Sequence, residues 1–114
     1  MKDCTSALFE MSGVLERRQE SGELYLEFLN CSTMSVGVYA LAAGSTDPQQ
    51  PHTEDEIYYI LDGRGQIRVG DDDLDVKPGS VIFVAAGQDH RFHTITEDLR
   101  LLVVFAPARG TGAK

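Results

Sequence analysis

The amino-acid sequence predicts an all-β domain in which many short strands form a sandwich or a barrel. Apolar and polar residues alternate with a period of two from Glu23 onward, as expected for strands with one buried face. Turn residues recur at regular intervals between the apolar runs. No helical segment separates the strands after residue 22, which excludes a parallel sheet built from βαβ units.

The strands are expected to follow one another through residues 23–106. The predicted segments are 23–28, 34–41, 56–61, 66–69, 74–76, 81–84, 90–95 and 99–106. Asp62-Gly63 is expected to stop the third segment, because these residues favour turns. Gly70–Asp73 has the composition of a hairpin turn. Residues 107–114 are expected to form a flexible tail.

The N-terminal segment, residues 1–22, is expected to contain a short helix. Ser6 is placed to cap its start, and Ser21-Gly22 to end it, because glycine is common just past a helix C-terminus. A strand through Gly13–Arg18 is the competing interpretation. The helical spacing is carried by Leu8, Met11, Leu15 and Arg18.

Composition narrows the class of function. The chain has 114 residues, enough for one domain, and a formal net charge of −8. This charge disfavours nucleic acids and anionic membranes as partners. The N-terminus has no apolar signal region and no run approaches a membrane span, so a cytoplasmic location is expected. Cys4 and Cys31 are expected to be reduced thiols, a disulfide being the alternative.

The three histidines lie in two polar clusters. His52 occurs in QQPHTEDE, which leads directly into the apolar run EIYYIL, and His90 and His93 occur in GQDHRFHT. Alternate residues of an extended chain share a face, so His93 is expected to point away from His90. In a barrel, His90 can then meet residues of the first cluster in the interior. The residues of that cluster that share one parity are Gln50, His52, Glu54 and Glu56.

The spacing of the two clusters resembles the two motifs of the cupin superfamily. The first motif reads Gly, five residues, His, one residue, His, three or four residues, Glu, six residues, Gly. This chain matches every spacing, with glutamine in place of the first histidine, through Gly44, Gln50, His52, Glu56 and Gly63. The second motif reads Gly, five residues, Pro, one residue, Gly, two residues, His, three residues, Asn. Its positions are held here by Gly79, Ala85, Gly87, His90 and Thr94, so the proline and the asparagine are absent.

The resemblance covers residues 34–106 and implies a fold and a metal site. The implied fold is a double-stranded β-helix, or jelly-roll barrel, of the small single-domain bacterial type. The implied ligands of a divalent ion (iron, manganese, nickel or zinc) are His52, Glu56 and His90, with Gln50 as a fourth ligand or as a hydrogen-bonding partner of a bound water. Two imidazoles and one carboxylate are the ligand set of non-haem iron oxygenases.

For most other polar residues near the two motifs, a structural role is expected. Glu54 and Asp55 are expected to be solvated loop charges, and His93 a surface or interface residue. Tyr58 shares the parity of Glu56, so it is a candidate proton donor, although a packed barrel tyrosine is the more common role. The acidic run 71–75 lacks the spacing of a calcium loop and is expected to be a solvated hairpin tip.

The leading functional hypothesis is a metal-dependent, dioxygenase-like enzyme acting on a small organic molecule. A non-catalytic ligand-binding or sensor protein is the alternative, and a metal-dependent isomerase or lyase acting on a sugar or uronate is a third hypothesis. A homodimer is expected, because the apolar faces of residues 8–15 and 24–29 exceed what one small barrel covers.

Overall fold

The computed structural model describes residues 4–48 and 51–110 of the chain. Gln50 therefore lies outside the described residues. Within these ranges one helix precedes six strands, and the strands account for most of the regular structure. The elements are α1 (Met11–Ser21), β1 (Tyr25–Asn30), β2 (Ser35–Leu41), β3 (Asp55–Val69), β4 (Asp72–Val76), β5 (Val81–Val84) and β6 (His90–Ala106).

The strands form one antiparallel sheet with the order β1-β2-β6-β3-β4, and β5 pairs with β3. The long strands β3 and β6 are therefore the centre of the sheet, and the shorter strands flank them. The predicted all-β class with a short N-terminal helix is confirmed. The connectivity is that of a double-stranded β-helix.

Strands β3 and β6 are longer than the sequence predicts. Asp62-Gly63 does not stop β3, and the predicted segments 90–95 and 99–106 are one strand. Register shifts between Ile60 and Gln66 let the pairing with β6 continue past the glycine. Gly63 has a φ of 95°, and a Cβ atom there would lie 2.1 Å from the carbonyl oxygen of Asp98. This glycine permits a close approach of the two backbones rather than a turn.

Burial in β3 follows the period of two. Glu56, Tyr58 and Ile60 are buried, whereas Ile57 and Tyr59 are each 41% exposed. The inward side chains of β2, β3 and β6 form the core between them. Its fully buried apolar members include Leu41, Tyr58, Ile60, Ile67, Phe92, Leu99, Leu101 and Phe105.

Helix α1 is confirmed, but it begins later than predicted. Glu10 stands at its N-cap without a side-chain capping bond, and Ser6 lies outside the helix. The end is as predicted. Gly22 adopts a left-handed conformation with a φ of 75°, and its N–H donates to the carbonyl of Gln19 at 3.2 Å.

The structure joins Cys4 and Cys31 in a disulfide, so the expectation of two reduced thiols is wrong. The bond ties the segment before α1 to the connection between β1 and β2, a contact between residues distant in sequence. Disulfides are typical of oxidising compartments. The cytoplasmic location stays a prediction.

Residues 107–110, predicted to begin a flexible tail, instead fold back onto the barrel. Ala108 is 1% exposed, and the Arg109 N–H donates to the Ser35 hydroxyl at 2.9 Å. Ser35 begins β2, so the segment is held against the sheet by a contact that the local sequence does not reveal. Among the described residues, no helix is long and apolar enough to cross a membrane.

Candidate metal centre

Three of the predicted ligands meet inside the barrel. One ligand atom from each of His52, Glu56 and His90 can be chosen so that all three lie within 4.8 Å of one another. Glu56 projects inward from β3, and His90 begins β6. His52 comes from the connection that leads into β3. The fourth predicted ligand, Gln50, lies outside the described residues.

Backbone contacts hold the two motif segments together. The Gly87 N–H donates to the carbonyl of His52 at 2.7 Å, and the Ala86 N–H donates to the Asp55 carboxylate at 2.9 Å. The loop before β6 is therefore fastened to the loop before β3. Asp55 is exposed as predicted, but its carboxylate also positions this loop.

The centre of the site is buried, and three of its polar atoms lack a hydrogen-bond partner among the described residues. His90 Nε2 lies 3.2 Å from Glu56 Oε1, and each of the two side chains is 1% exposed. Among the described residues, neither Glu56 oxygen nor His90 Nε2 has a hydrogen-bond partner. Buried polar atoms are almost always satisfied, so three such atoms facing one space call for an explanation. A bound cation provides one, and the donor set fits a divalent metal.

The tautomer of His90 also suits a metal ligand. Its Nδ1 lies 2.9 Å from the Gln88 carbonyl oxygen, which can only accept, so Nδ1 carries a proton. In the neutral ring, Nε2 then presents a lone pair toward Glu56. Burial lowers the pKa of His90, but the Glu56 carboxylate and the Gln88 carbonyl outweigh it and raise the pKa overall. A proton or a cation beside Nε2 is thus favoured by the carboxylate.

His52 is held in its neutral form. Its pKa is lowered, chiefly by burial, against the opposing charge of Glu56, and the charges of Arg109 and His90 lower it further. Its ring lies 4.9 Å from that of Phe105 and 5.7 Å from that of His90, measured between centroids. A neutral imidazole keeps a lone pair available for a metal.

A cavity of about 470 Å³ opens beside this centre. His52 and Glu56 form part of its wall, and the apolar side chains of Val103 and Phe105 form another part. A volume of this size suits a small organic molecule. The remaining residues that line it are Glu23, Leu24, Tyr25, Tyr39, Pro48 and Arg109.

Tyr58, the predicted proton donor, is fully buried in the core. Its ring centroid lies 5.1 Å from that of Phe92 and 5.9 Å from that of His90. It therefore packs behind His90, and its catalytic role stays a prediction. The tyrosines on the cavity wall are Tyr25 and Tyr39.

The structure corrects the prediction for Glu54. It is 2% exposed, not a solvated loop charge, and the Thr53 hydroxyl donates a hydrogen bond to its carboxylate. Its parity with Glu56 was the available signal, because alternate residues of an extended segment share a face. By contrast, residues 71–75 are exposed, as expected for a hairpin tip.

Sequence reasoning missed a buried carboxylate that holds the cavity wall. Asp47 is 2% exposed, accepts from the Tyr39 hydroxyl at 2.6 Å and accepts from the Phe92 N–H at 2.9 Å. Burial and the Asp47 carboxylate both raise the pKa of Tyr39, so its phenol stays protonated and bonded. Asp47 thereby links β2, β6 and the segment that leads to His52.

Comparison with known proteins identifies the family. A model of the cupin domain matches residues 37–105, more than half of the chain. The chain belongs to the cupin family. This confirms the resemblance that the two motif spacings indicate.

Relatives of this cupin include proteins with and without an assigned activity. An uncharacterized protein of Streptomyces coelicolor is 48% identical over 99 residues, which cover 87% of this chain and 94% of that protein. Acireductone dioxygenase 1 of Physcomitrium patens is 33% identical over 90 residues, which cover 74% of this chain and 46% of that protein. The crystal structure of TT1209 from Thermus thermophilus matches with a TM-score of 0.71 and 26% identity, covering 89% of this chain and 97% of that one.

Proposed function

We propose that this cupin is a metal-dependent, dioxygenase-like enzyme that acts on a small organic molecule. His52, Glu56 and His90 would hold a divalent iron, manganese, nickel or zinc ion. Gln50 would be a fourth, weaker ligand or would hydrogen-bond to a bound water. The observation that carries the proposal is the group of buried candidate ligand atoms that have no hydrogen-bond partner within residues 4–48 and 51–110, beside a cavity of about 470 Å³.

Similarity to acireductone dioxygenase 1 of Physcomitrium patens supports the reaction class. The match spans less than half of that protein, so its substrate is a candidate here and not an assignment. A ligand set of two imidazoles and one carboxylate is the one that non-haem iron oxygenases use.

Each part of the site has a task under this proposal. When bound, the metal would supply Lewis acidity and open positions for substrate or dioxygen. Glu56 balances its charge, and the Gln88 carbonyl keeps the His90 ring in the ligating tautomer. Val103 and Phe105 exclude water from the cavity wall, which strengthens electrostatic interactions inside it.

A non-catalytic ligand-binding protein is the second candidate function. The observation that favours it is Gln50, which stands where the first cupin motif has a histidine. An amide oxygen is a weaker donor for late first-row metals than imidazole. A site built for binding alone would tolerate that loss more readily than a site built for turnover.

The decisive experiment begins with elemental analysis of protein purified without chelator. The protein is then reconstituted with iron, and oxygen consumption is measured with an acireductone and with a panel of small keto and enol acids. We expect about one equivalent of metal and substrate-dependent oxygen uptake. His93→Ala is the matched control, because this histidine lies three residues from His90 but outside the site.

The outcomes separate the candidates. Bound metal without oxygen uptake, together with a ligand that co-purifies unchanged, would favour the binding protein. If the wild-type chain binds no divalent ion with micromolar or tighter affinity, the result would contradict both the metal centre and the proposed enzyme.

A further inference from the structure

The cavity carries a positive charge on a wall that the metal centre does not explain. Arg109 lines the cavity although the chain as a whole has a net charge of −8. Among the described residues, no carboxylate forms an ion pair with its guanidinium. Glu23 also lines the cavity, but it forms no ion pair with any described residue. Arg109 is thus a cation with spare hydrogen-bond donors.

Three contacts hold Arg109 in place. Its backbone N–H donates to the Ser35 hydroxyl at 2.9 Å. The Cζ atom of its guanidinium lies 5.0 Å from the ring centroid of Tyr25 and 5.9 Å from that of Phe105. The guanidinium therefore rests on aromatic faces, which attract a cation without using its N–H groups. Phe105 also contacts the His52 ring, at 4.9 Å between centroids. Arg109 and the metal centre thus share a wall of one cavity.

Tyr25 adds a second free donor beside Arg109. Its hydroxyl is buried and has no hydrogen-bond partner among the described residues. Burial, followed by the charge of Glu27, raises its pKa, so the phenol remains a neutral donor at physiological pH. Tyr39, the other cavity tyrosine, already donates to Asp47. Of the two phenols, Tyr25 is the one still available to a ligand.

The sequence makes room for this hydroxyl. A Cβ atom at Gly37 would lie 2.4 Å from both Cζ and the hydroxyl oxygen of Tyr25. The glycine therefore allows the phenol end of Tyr25 to pack directly against β2. A buried hydroxyl without a partner costs stability, so a ring that keeps one, while it contacts a guanidinium that has no ion pair among the described residues, suggests a ligand that uses both groups.

We propose that Arg109 and Tyr25 bind the carboxylate of a small anionic ligand whose other end reaches the His52, Glu56 and His90 centre. This inference rests on the proposed function, because it names the substrate class of the same cavity. Guanidinium matches a carboxylate through two parallel hydrogen bonds, and the phenol supplies a third donor. The acidic surface does not attract such a ligand from a distance, so recognition depends on these two residues.

A purely structural role for Arg109 is the competing explanation. In that case the guanidinium and the aromatic rings would only fasten residues 107–110 to the barrel. Tyr25→Phe separates the two ideas, because it retains the ring under Arg109 and removes only the unpartnered hydroxyl. A structural role predicts no effect of Tyr25→Phe on ligand binding and unchanged or improved thermal stability.

The test compares two probes, 2-oxoglutarate and 2-oxopentanoate, which share a 2-oxo acid end and differ in the distal carboxylate. Affinities are measured by NMR titration of the full chain, both metal-free and zinc-loaded. We expect wild type to bind 2-oxoglutarate about tenfold more tightly than 2-oxopentanoate, the typical effect of a charge-assisted hydrogen bond. Arg109→Gln should abolish this preference, and Tyr25→Phe should reduce it about threefold or more with no loss of stability.

Two controls keep the result specific. Ser35→Ala removes the hydrogen bond that fastens the backbone of Arg109 to β2. The proposal would be overturned in favour of the structural role if Ser35→Ala lost the preference for 2-oxoglutarate as fully as Arg109→Gln does while Tyr25→Phe kept it. Zinc affinity, measured against a competing chelator, should be unchanged in Arg109→Gln and Tyr25→Phe.

The two proposals can fail separately. Equal affinity of wild type for the two probes would overturn the carboxylate site, even if zinc binding is intact and the proposed function stands. If wild type binds no metal but the metal-free protein prefers 2-oxoglutarate in an Arg109-dependent way, the proposed function fails and the carboxylate site stands.

Discussion

Strand β6 carries two histidines, three residues apart, and each of them lies close to a carboxylate. The two histidine–carboxylate pairs differ in burial and in their surroundings. His90 Nε2 lies 3.2 Å from Glu56, and both side chains are 1% exposed. His93 Nε2 lies 2.7 Å from Asp73, and these side chains are 32% and 36% exposed. Strand alternation accounts for the difference, because His90 and His93 project to opposite faces.

The surroundings of the pairs show which one is a site. Asp73 also binds Arg68 at 2.9 Å, and His93 Nδ1 lies 2.9 Å from the Thr94 hydroxyl, so the outer pair belongs to a satisfied surface network. The inner pair retains, on both side chains, atoms that have no hydrogen-bond partner in the described part of the chain. Proximity of a histidine to a carboxylate therefore does not mark function by itself. Burial with unmet hydrogen-bonding capacity does.

The largest difference is expected when the two histidines are removed in turn. His90→Ala should lower the affinity for zinc by more than about 100-fold, since loss of a supporting residue alone costs 10- to 100-fold. His93→Ala should change it less than about twofold by the same standard. Competitive chelator titration measures both variants.

The fold should survive the loss of His90. The barrel is closed by backbone ladders, so the ion is not required for it to form, unlike in a zinc finger. Far-UV circular dichroism of metal-free His90→Ala should retain the β signal. Equal loss of metal in both histidine variants would erase the distinction between the inner and outer pairs.

Gln50→His should strengthen the inner site if this residue is a direct ligand. Imidazole suits late first-row metals better than an amide oxygen, and the expected gain in affinity is about 10- to 100-fold. The same chelator titration, with wild type alongside, provides the measurement. A change below about threefold would exclude direct ligation, because ligand exchange should exceed the effect of a supporting residue.

The homodimer stays a prediction, and the outer face of β3 and β5 is an apolar surface for it in addition to the predicted faces of residues 8–15 and 24–29. Ile57 pairs with Phe83 and Tyr59 with Val81, and these four outward side chains are 41–64% exposed. Phe83→Glu should weaken a dimer about tenfold or more, as truncation of a central apolar contact does. Sedimentation equilibrium tests this, with Leu74→Glu on β4 as the control. A wild-type monomer at micromolar concentration would contradict the dimer.

The smallest effect is expected from acid titration of the outer pair. Hydrogen bonds from Arg68 and then His93 lower the pKa of Asp73 to about 2. A carboxyl with a depressed pKa stabilises the fold above its unfolded pKa of about 3.9, and this contribution disappears as the pH falls toward 2. Thermal melts of wild type and Asp73→Asn should therefore converge between about pH 4 and pH 2. Because Asp73 is on the surface, the difference at higher pH should be small and weakened by salt.

The local sequence pattern was sufficient for much of the fold and for the inward orientation of three candidate ligands. Period-two alternation predicts the strands, and the parity of His52 with Glu56 and of His90 with Phe92 predicts which side chains face inward. Motif spacing adds that the two segments meet. The strand and parity predictions succeed because each depends on residues close together in the chain, whereas the meeting of the two segments was implied by the family resemblance.

Strand lengths show where local pattern fails. Gly63 is a turn signal by composition, yet β3 continues through it because β6 supplies pairing partners on the other side. Local pattern also fails at β1. Tyr25 packs against the core there, whereas the neighbouring apolar residue Leu24 remains 43% exposed. A register shift between Glu27 and Leu29 interrupts the alternation that the sequence suggests.

The amino-acid sequence alone was enough for the fold class and for the inward orientation of the candidate ligands His52, Glu56 and His90, since strand periodicity is a local property of the backbone. The folded chain was needed to show that Cys4 is bonded to Cys31, that Asp47 joins β2 to β6, and that Arg109 returns to Tyr25. Sequence separation is the physical reason. These contacts join residues whose proximity depends on how the whole sheet closes, which no local pattern encodes.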